Sequence, residues 1–307
     1  MSTINNFADM VIKVITKKHP GLVGSVSVTD VTKNNGVTKK ALVIRSKDSN
    51  IAPTMYLEAY YEEFTNGEKT IDEVADKIFE VYESCKTPNF DFDADDYLDF
   101  NKVKNNLCLK LVNADTNRKM LEDAPHFRYG DLAVLFMVQV GGGTITVRNS
   151  HFKLWNVSKE DLLAYAKENF AKNPVFIAGM AEIARGMLNL NSEQKETFEE
   201  VDDVMFIMSN KSRIFGSVGL LLKEKIHAFA EKKDMNFFII PSSVHELVLL
   251  PDFGGVDLDD LKGMIYAVNR TQLEPVDFLS DNVYYYDRTT QVLSVAGTDE
   301  ELILKDE

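Results

Sequence analysis

Apolar and polar residues in the first part of the chain alternate with the periods of amphipathic helices and of one β-hairpin. Apolar side chains recur at three- and four-residue intervals over residues 3–17, which predicts a helix. Two β-rich runs flank Asn35-Gly36, a pair that supplies the positive φ angles of a tight turn, and they predict a hairpin. A second amphipathic helix is predicted for APTMYLEAYYEEF, residues 52–64.

The next predicted helix begins at a capping box. Thr70 stands three residues before Glu73, so each side chain can satisfy a backbone N–H group of the first turn. The apolar spacing that follows predicts a helix over residues 70–85. The same kind of spacing predicts further helices over residues 98–112 and 115–122.

Strand-like patterns dominate the second half of the chain. The runs DLAVLFMVQV and TITVRN flank three glycines, residues 141–143, and predict a second hairpin, which the helix SKEDLLAYAKENFAK follows. After residue 203, β-rich runs alternate with two helical segments, an order typical of an α+β protein with a mainly antiparallel sheet flanked by helices. We therefore predict two subdomains, residues 1–125 and 126–295, and an acidic tail over residues 296–307.

The net charge of −14 is concentrated in one part of the chain. Residues 51–100 hold 14 acidic residues and three lysines. Because nucleic-acid affinity depends on cationic groups that displace counterions, we expect no direct binding of DNA or RNA. An acidic face can instead bind a basic protein. The residues expected to contact such a partner are Asp91, Asp93, Asp95 and Asp96.

Cysteine content and hydropathy indicate the compartment. Cys85 and Cys108 are too few for a disulfide framework and lack the paired spacing of a zinc site, so we expect two free thiols in a reducing cytoplasm. The first twenty residues do not have the pattern of a secretory signal peptide, and the longest apolar run, LAVLFMVQV, is only as long as a strand. The sequence thus predicts a soluble cytoplasmic protein that does not enter a membrane.

The stretch PSSVHE, residues 241–246, places two hydroxyls close to an imidazole. On a strand, Ser243 and His245 project to the same face, and in a helical turn Ser242 and His245 are neighbours. With Glu246 as the carboxylate, these residues are candidates for the nucleophile and base of a hydrolase. However, the chain has no GxSxG elbow and no nearby glycine-rich segment to form an oxyanion hole. The alternative, which we prefer, is that the hydroxyls and the imidazole hold a turn between two strands.

Two further groups of polar and aromatic residues are candidates for a ligand site. NSHFKLW places Asn149 and His151 just after the second hairpin, where they can line a cleft or cap the end of a strand. Arg270 ends a predicted helix, and the run YYYD carries Tyr284 and Tyr286 on one face of a strand. An arginine beside an exposed tyrosine forms a stacking or carboxylate-binding patch, whereas a lone arginine at a helix end only closes its C-terminus.

The acidic stretch FDFDADDYLDF has the one-three-five spacing of a calcium loop but not the rest of that motif. Asp96 takes the place of the glycine at position six, and Lys102 that of the bidentate glutamate at position twelve. HELVL lacks the second histidine of an HExxH zinc helix, and no glycine-rich nucleotide motif is present in the sequence. We therefore predict neither a metal nor a cofactor.

Several stretches together resemble a known family. They occur in the same order over nearly the whole chain, and they are KNNGV, IAPTMYLEAYYEEF, NSHFKLW, NKSRIFG, FFIIPSSVHELVLLP and VNRTQLEPVDFLSDNVYYYD. The family that they resemble is an uncharacterised domain of unknown function found in low-GC Gram-positive bacteria. The resemblance implies a bacterial, cytosolic setting and assigns no reaction, cofactor or catalytic residue.

The sequence leaves two hypotheses of function. The preferred one is a non-catalytic binding or regulatory protein whose acidic face, within residues 51–100, contacts a basic protein partner. The other is a hydrolase that uses one of the PSSVHE serines with His245. A concave site that brings PSSVHE together with the candidate ligand-binding residues would favour the enzyme.

Overall fold

The structure is a computed structural model, and it divides the chain into two compact units, Met1–Ala94 (unit 1) and Asp95–Glu307 (unit 2). Both units combine helices with antiparallel sheets, which confirms the predicted α+β class. The structure describes residues 3–22, 24–45, 52–84, 94–140, 143–180, 182–183 and 204–306, without the side chains of residues 94 and 95.

Unit 1 packs helices against one three-stranded antiparallel sheet. Its elements are α1 (Ile4–Lys18), β1 (Val26–Thr32), β2 (Thr38–Ile44), β3 (Thr54–Tyr56), α2 (Glu58–Thr65) and α3 (Ile71–Ser84). The strands follow the order β1-β2-β3, and apolar side chains from α1, α3 and the sheet form one buried core. Asn35 (φ 59°) and Gly36 (φ 69°) adopt the left-handed backbone conformation at the β1–β2 turn, which confirms the predicted hairpin.

The start of α3 agrees with the sequence, whereas α2 is shorter than predicted. The Oγ1 atom of Thr70 accepts a hydrogen bond from the Glu73 N–H group (3.3 Å), and the Glu73 carboxylate accepts one from the Thr70 N–H group (2.8 Å). The predicted helix over residues 52–64 loses its first part to β3. Pairing with β2 places Met55 in the core, and this tertiary contact outweighs the local helical spacing.

Unit 2 is built on two antiparallel sheets. Its strands are β4 (Leu107–Asn113), β5 (His126–Tyr129), β6 (Leu132–Val140), β7 (Gly143–Thr146), β8 (Val175–Gly179), β9 (Phe206–Asn210), β10 (Phe237–Ile240), β11 (Leu247–Pro251), β12 (Tyr284–Asp287), β13 (Val292–Val295) and β14 (Leu304–Asp306). One sheet has the order β14-β5-β6-β4, with β7 also paired to β6, and the other has the order β13-β12-β10-β11-β9-β8. The six-stranded sheet confirms the antiparallel architecture predicted for the second half of the chain.

Short helices connect these strands. They are α4 (Ala94–Leu98), α5 (Phe100–Val103), α6 (Arg118–Leu121), α7 (Asn149–Trp155), α8 (Lys159–Glu168), α9 (Lys223–Lys233) and α10 (Leu258–Thr271). A 3₁₀ helix, Gly216–Leu221, follows β9 and is almost fully buried.

The segment predicted as one helix over residues 98–112 contains two short helical turns followed by β4. β4 pairs with β6 along its whole length and buries Leu107, Leu109 and Leu111. The prediction was wrong because the alternating leucines of LCLKL also fit a strand, and the partner strand that decides between the two lies further along the chain. Since β4 and β6 are neighbours in one sheet, the boundary predicted at residue 125 falls inside unit 2.

The residues predicted as an acidic tail are part of the fold. Leu302 is fully buried, and β14 pairs with β5, so that Leu304 lies opposite Tyr129. The apolar residues among the acidic ones supply the burial that holds this segment to the five-stranded sheet.

Candidate functional site

The PSSVHE turn connects β10 to β11, and both ring nitrogens of His245 contact other segments. The Phe215 N–H group donates a hydrogen bond to Nδ1 (3.2 Å), so the proton of the neutral ring is on Nε2, which lies 3.3 Å from Oδ1 of Asp277. The Phe215 ring also stacks on the imidazole, with 5.9 Å between the centroids. His245 therefore links the turn to two distant segments of unit 2.

The hydroxyls of the motif bond to main-chain groups and not to the imidazole. The Ser243 hydroxyl oxygen accepts from the His245 N–H group (3.0 Å), and the Ser242 hydroxyl donates to the Glu246 carbonyl (3.3 Å). Asp277, and not Glu246, supplies the carboxylate that faces the imidazole. This geometry supports the interpretation that these side chains hold a turn, and no contact among the described residues favours the hydrolase.

Serine hydroxyls outside the motif also bond to the main chain of this turn. The hydroxyls of Ser209 and Ser217 donate to the carbonyls of His245 and Val244, both at 2.8 Å. Gly216 packs so closely that a Cβ atom there would lie 2.2 Å from the Ser209 hydroxyl oxygen. The turn, β9 and the 3₁₀ helix thus pack closely against one another at Gly216.

NSHFKLW forms α7 and takes part in an aromatic cluster. The His151 Nδ1 atom lies 3.0 Å from the Tyr97 hydroxyl and 3.2 Å from the main-chain nitrogen of Arg148. Burial, together with the positive charge of Arg148, lowers the pKa of His151. Trp155 donates to the Tyr97 carbonyl (2.9 Å), and the Asn149 amide donates to a backbone carbonyl (3.1 Å). Asn149 and His151 therefore fasten α7 to its neighbours.

Tyr284 and Tyr286 are buried, with 0% and 1% of their surface exposed. Asp131, in the turn between β5 and β6, accepts hydrogen bonds from the hydroxyls of Tyr284 (2.7 Å) and Ser280 (2.5 Å). Burial, reinforced by the charge of Asp131, raises the pKa of Tyr284 well above its ordinary value. Tyr284 thus connects the two sheets of unit 2, and neither ring is open to a ligand.

Arg270 lies at the surface at the end of α10. Its guanidinium donates two hydrogen bonds to Asp281, at 3.1 and 2.8 Å, and its Cζ atom lies 4.4 Å from the centroid of the exposed Tyr266 ring. Arg270 thus stacks on a tyrosine one turn earlier in its own helix and not on Tyr284 or Tyr286, the tyrosines considered from the sequence. The structure places the candidate ligand residues on separate elements, and none of them lines the cleft at β4 or the pocket beside β14.

The most concentrated charge in the described part of unit 1 lies on α3. At about 100° per residue, four carboxylates fall within an arc of about 80°, opposite the buried side of the helix. These residues, which we call the α3 acidic face, are Asp72, Asp76, Glu80 and Glu83, and all four are exposed. They lie within the acidic region predicted from composition. Their spacing of four, four and three residues in the sequence is the signal that places them on one face of a helix.

The aspartates chosen from the sequence contribute less to the described surface. Asp91 and Asp93 lie outside the described residues, as does the side chain of Asp95. Asp96 is described, and its carboxylate pairs with Lys102. The partner-binding role predicted for these four residues stays a prediction.

The described residues were compared with the requirements of a metal cluster and of a membrane-spanning helix. Within these ranges no cluster of three or more histidine, cysteine, aspartate or glutamate side chains could hold a metal ion. No helix described in either unit is long and apolar enough to cross a membrane.

Comparison with known protein families identifies the family of this chain. The model of a family of unknown function (DUF5688) matches residues 4–288, which is nearly the whole chain. Searches of curated proteins and of solved structures found no match.

Proposed function

Since the chain belongs to DUF5688, a family of unknown function, we propose from its own geometry that it is a non-catalytic binding protein whose α3 acidic face contacts a basic protein partner. The observation that carries the proposal is the alignment of four exposed carboxylates along one side of α3. The hydroxyl and imidazole groups that could have supported catalysis form hydrogen bonds that hold a turn, as described above.

One lysine balances only part of this charge. The Lys18 ammonium lies 2.7 Å from Asp76 and 3.3 Å from Asp72, and its hydrogen bond to Asp76 raises the pKa of Lys18. The side chains of Asp72 and Asp76 nevertheless remain 64% and 53% exposed. A cationic group of a partner can therefore contact these carboxylates directly at the surface.

Two other lysines near α2 and α3 pair with a carboxylate outside the α3 acidic face. Lys69 and Lys77 both lie near the carboxylate of Glu63, at 3.5 and 2.8 Å. Their charge thus lies between α2 and α3, and the two exposed carboxylates of Asp72 and Asp76 share the single ammonium group of Lys18. Such a surface accelerates the association of a basic partner by electrostatic steering, and salt weakens this effect.

The proposed setting is the cytoplasm of a bacterium. Cys108 is a free thiol, in keeping with a reducing compartment. The acidic composition supports a protein partner and not direct contact with nucleic acid, because phosphate groups would be repelled.

The test uses an oligolysine peptide as the probe and isothermal titration calorimetry at several salt concentrations. A variant with Asp72→Asn, Asp76→Asn, Glu80→Gln and Glu83→Gln should bind the peptide about tenfold more weakly at low salt, since exposed ion pairs contribute about 0.2–1 kcal/mol each. Its affinity should also depend less on salt than that of the native protein.

The matched control removes the same amount of charge from unit 2. It replaces four exposed glutamates of that unit by glutamine, and they are Glu122, Glu168, Glu224 and Glu274. This control should bind oligolysine almost as tightly as the native protein. Equal losses of affinity in the two variants would mean that net charge alone matters, and unchanged affinity in the α3 variant would also refute the proposal.

A further inference from the structure

The outer edge of β4 carries a backbone donor and acceptor whose direction follows from the strand register. Leu109 lies opposite Phe136 in β6, and the Phe136 carbonyl accepts a hydrogen bond from the Val147 N–H group (2.9 Å), on the far side of β6. Phe136 therefore turns its main-chain polar groups away from β4. In an antiparallel pair the opposing residue does the same, so the N–H and C=O groups of Leu109 point outward from the sheet edge.

The two ends of this edge have partners, but no hydrogen bond among the described residues reaches the outward main-chain groups of Leu109 or Leu111. The Leu107 carbonyl accepts from the Asn169 amide (2.9 Å), and its N–H group donates to the Lys104 carbonyl. The Asn113 carbonyl accepts from the Asn117 amide (2.8 Å). Leu109 is only 2% exposed, and no hydrogen bond reaches its main chain from any described residue. Buried backbone groups are almost always paired, so this edge indicates a partner outside the described residues.

A cleft of about 80 Å³ borders the same edge. Asn169 and Phe170, which follow α8, line one side of it, and Phe215 and Val218, around the start of the 3₁₀ helix, line the other. The cleft exceeds the roughly 30 Å³ that one water occupies in the liquid. It can therefore hold a small molecule or one group of a larger molecule against Leu109.

The edge is too short for a peptide strand to pair with it. A strand needs free groups at alternating residues, but those of Leu107 are occupied and Leu111 is 0% exposed, with the 3₁₀ helix packed against β4. Of the two residues without a main-chain partner, Leu109 lines the cleft, so its N–H and C=O pair is the one that a ligand can reach. A ligand that matches it must carry a donor and an acceptor side by side.

The lining also limits the charge and shape of the ligand. The one ammonium group at the cleft, that of Lys172, donates to the Asn105 carbonyl (2.5 Å) and to the Asn169 side chain (2.9 Å). Among the described lining residues there is no carboxylate, and the rings of Phe170 and Phe215 favour a flat group. The amides of Asn106 and Gln139 are exposed at its rim and can donate or accept further hydrogen bonds.

We infer that this cleft is a binding site for a small, neutral, planar amide-type group, in which an N–H lies beside a C=O and pairs with the main chain of Leu109. Such a group can belong to a lactam-type ring or to an amino-acid amide. The site lies within unit 2 and does not depend on the acidic face of unit 1.

The test titrates the full chain, labelled with ¹⁵N-leucine, with two probes in separate arms. The probes are uracil for the ring and N-acetylglycine N-methylamide for the amino-acid amide. The Leu109 amide signal, assigned as the one that disappears in Leu109→Ile, should move downfield in a saturable way with at least one probe. The probe that shifts the Leu109 signal shows whether the site prefers a ring or an amino-acid amide.

The matched control ligand for the ring is 1,3-dimethyluracil, which has no N–H group. It should bind at least about tenfold more weakly, because it leaves the Leu109 carbonyl unpaired. Cys108→Phe should fill the cleft and abolish the response, and the emission of Trp155 verifies that this variant folds.

Three results would overturn the inference. The first is a Leu109 signal that stays in place with both probes at millimolar concentration, which would mean that the cleft holds only water. The second is a shift of the Leu109 signal by 1,3-dimethyluracil that is as large as the shift by uracil. The third is a folded Cys108→Phe variant that binds the probes like the native protein.

Discussion

Gly216 offers the sharpest test of how the PSSVHE turn is held. An ideal Cβ atom at this position would lie 2.2 Å from the Ser209 hydroxyl oxygen, 2.4 Å from the His245 carbonyl oxygen and 2.7 Å from the Asn210 nitrogen. Two of these three atoms belong to the backbone, so no rotation of a side chain relieves the contact. Gly216→Ala must therefore move the 3₁₀ helix, the turn or β9.

The expected cost combines two effects. Overpacking a tight core costs about 1–3 kcal/mol, and loss of the hydrogen bond from Ser209 to the His245 carbonyl adds about 0.5–1.5 kcal/mol. We expect Gly216→Ala to lower the free energy of unfolding of unit 2 by about 2–4 kcal/mol. Ser209→Ala combined with Gly216→Ala should recover only part of this loss, because the backbone contacts remain.

Urea unfolding followed by tryptophan fluorescence measures this change. Trp155 is the one tryptophan in the sequence, it belongs to unit 2 and it is 6% exposed, so its emission reports the unfolding of that unit. The control is Gly263→Ala in α10, where a Cβ atom meets nothing within 4 Å. This exchange should stabilise by about 0.5–1 kcal/mol, as expected within a helix. A Gly216→Ala protein within about 0.5 kcal/mol of the native one would refute the tight packing.

The remaining predictions concern the side chains of PSSVHE and the pH dependence set by His151. His245→Ala should destabilise unit 2 by about 1–3 kcal/mol, because the Phe215 N–H group loses its acceptor, and Ser243→Ala by about 0.5–1.5 kcal/mol. A fluorophosphonate probe should label neither Ser242 nor Ser243; labelling that vanishes in His245→Ala without a change in melting would restore the hydrolase. Because the folded state lowers the pKa of His151, protonation favours the unfolded chain, and the free energy of unfolding should fall as the pH drops through about 6.5. His151→Gln should make the unfolding midpoint less sensitive to this acidification, and an unchanged pH profile would contradict the assigned cause.

Elements with local signals could be predicted from the sequence. The Asn35-Gly36 turn needs left-handed backbone angles that these residues accept, and the Thr70–Glu73 box closes within one helical turn. In both cases the residues that give the signal also form the turn or the helix start, so the element can be predicted without knowledge of distant contacts. The first hairpin and the start of α3 were therefore correct.

Elements that depend on distant partners could not be predicted in this way. β4 was assigned to a helix because its strand character depends on β6. Asp277 faces His245 across 32 residues of sequence, and no spacing connects the two. Tyr284 and Tyr286 were correctly placed on one face of a strand, but only the packing of the second sheet determines that this face is buried.

The carboxylate that joins the two sheets of unit 2 also bears on the evolution of the family. Asp131 receives hydroxyl hydrogen bonds from Ser280 and Tyr284, which are 149 and 153 positions away along the chain. An apolar exchange at position 131 removes the carboxylate to which both hydroxyls donate, and loss of the hydroxyls leaves the charge without these donors. We therefore expect each single change to lower the free energy of unfolding more than the combined change does. Positions 131, 280 and 284 should therefore covary among members of the family, with aspartate retained wherever serine and tyrosine are present.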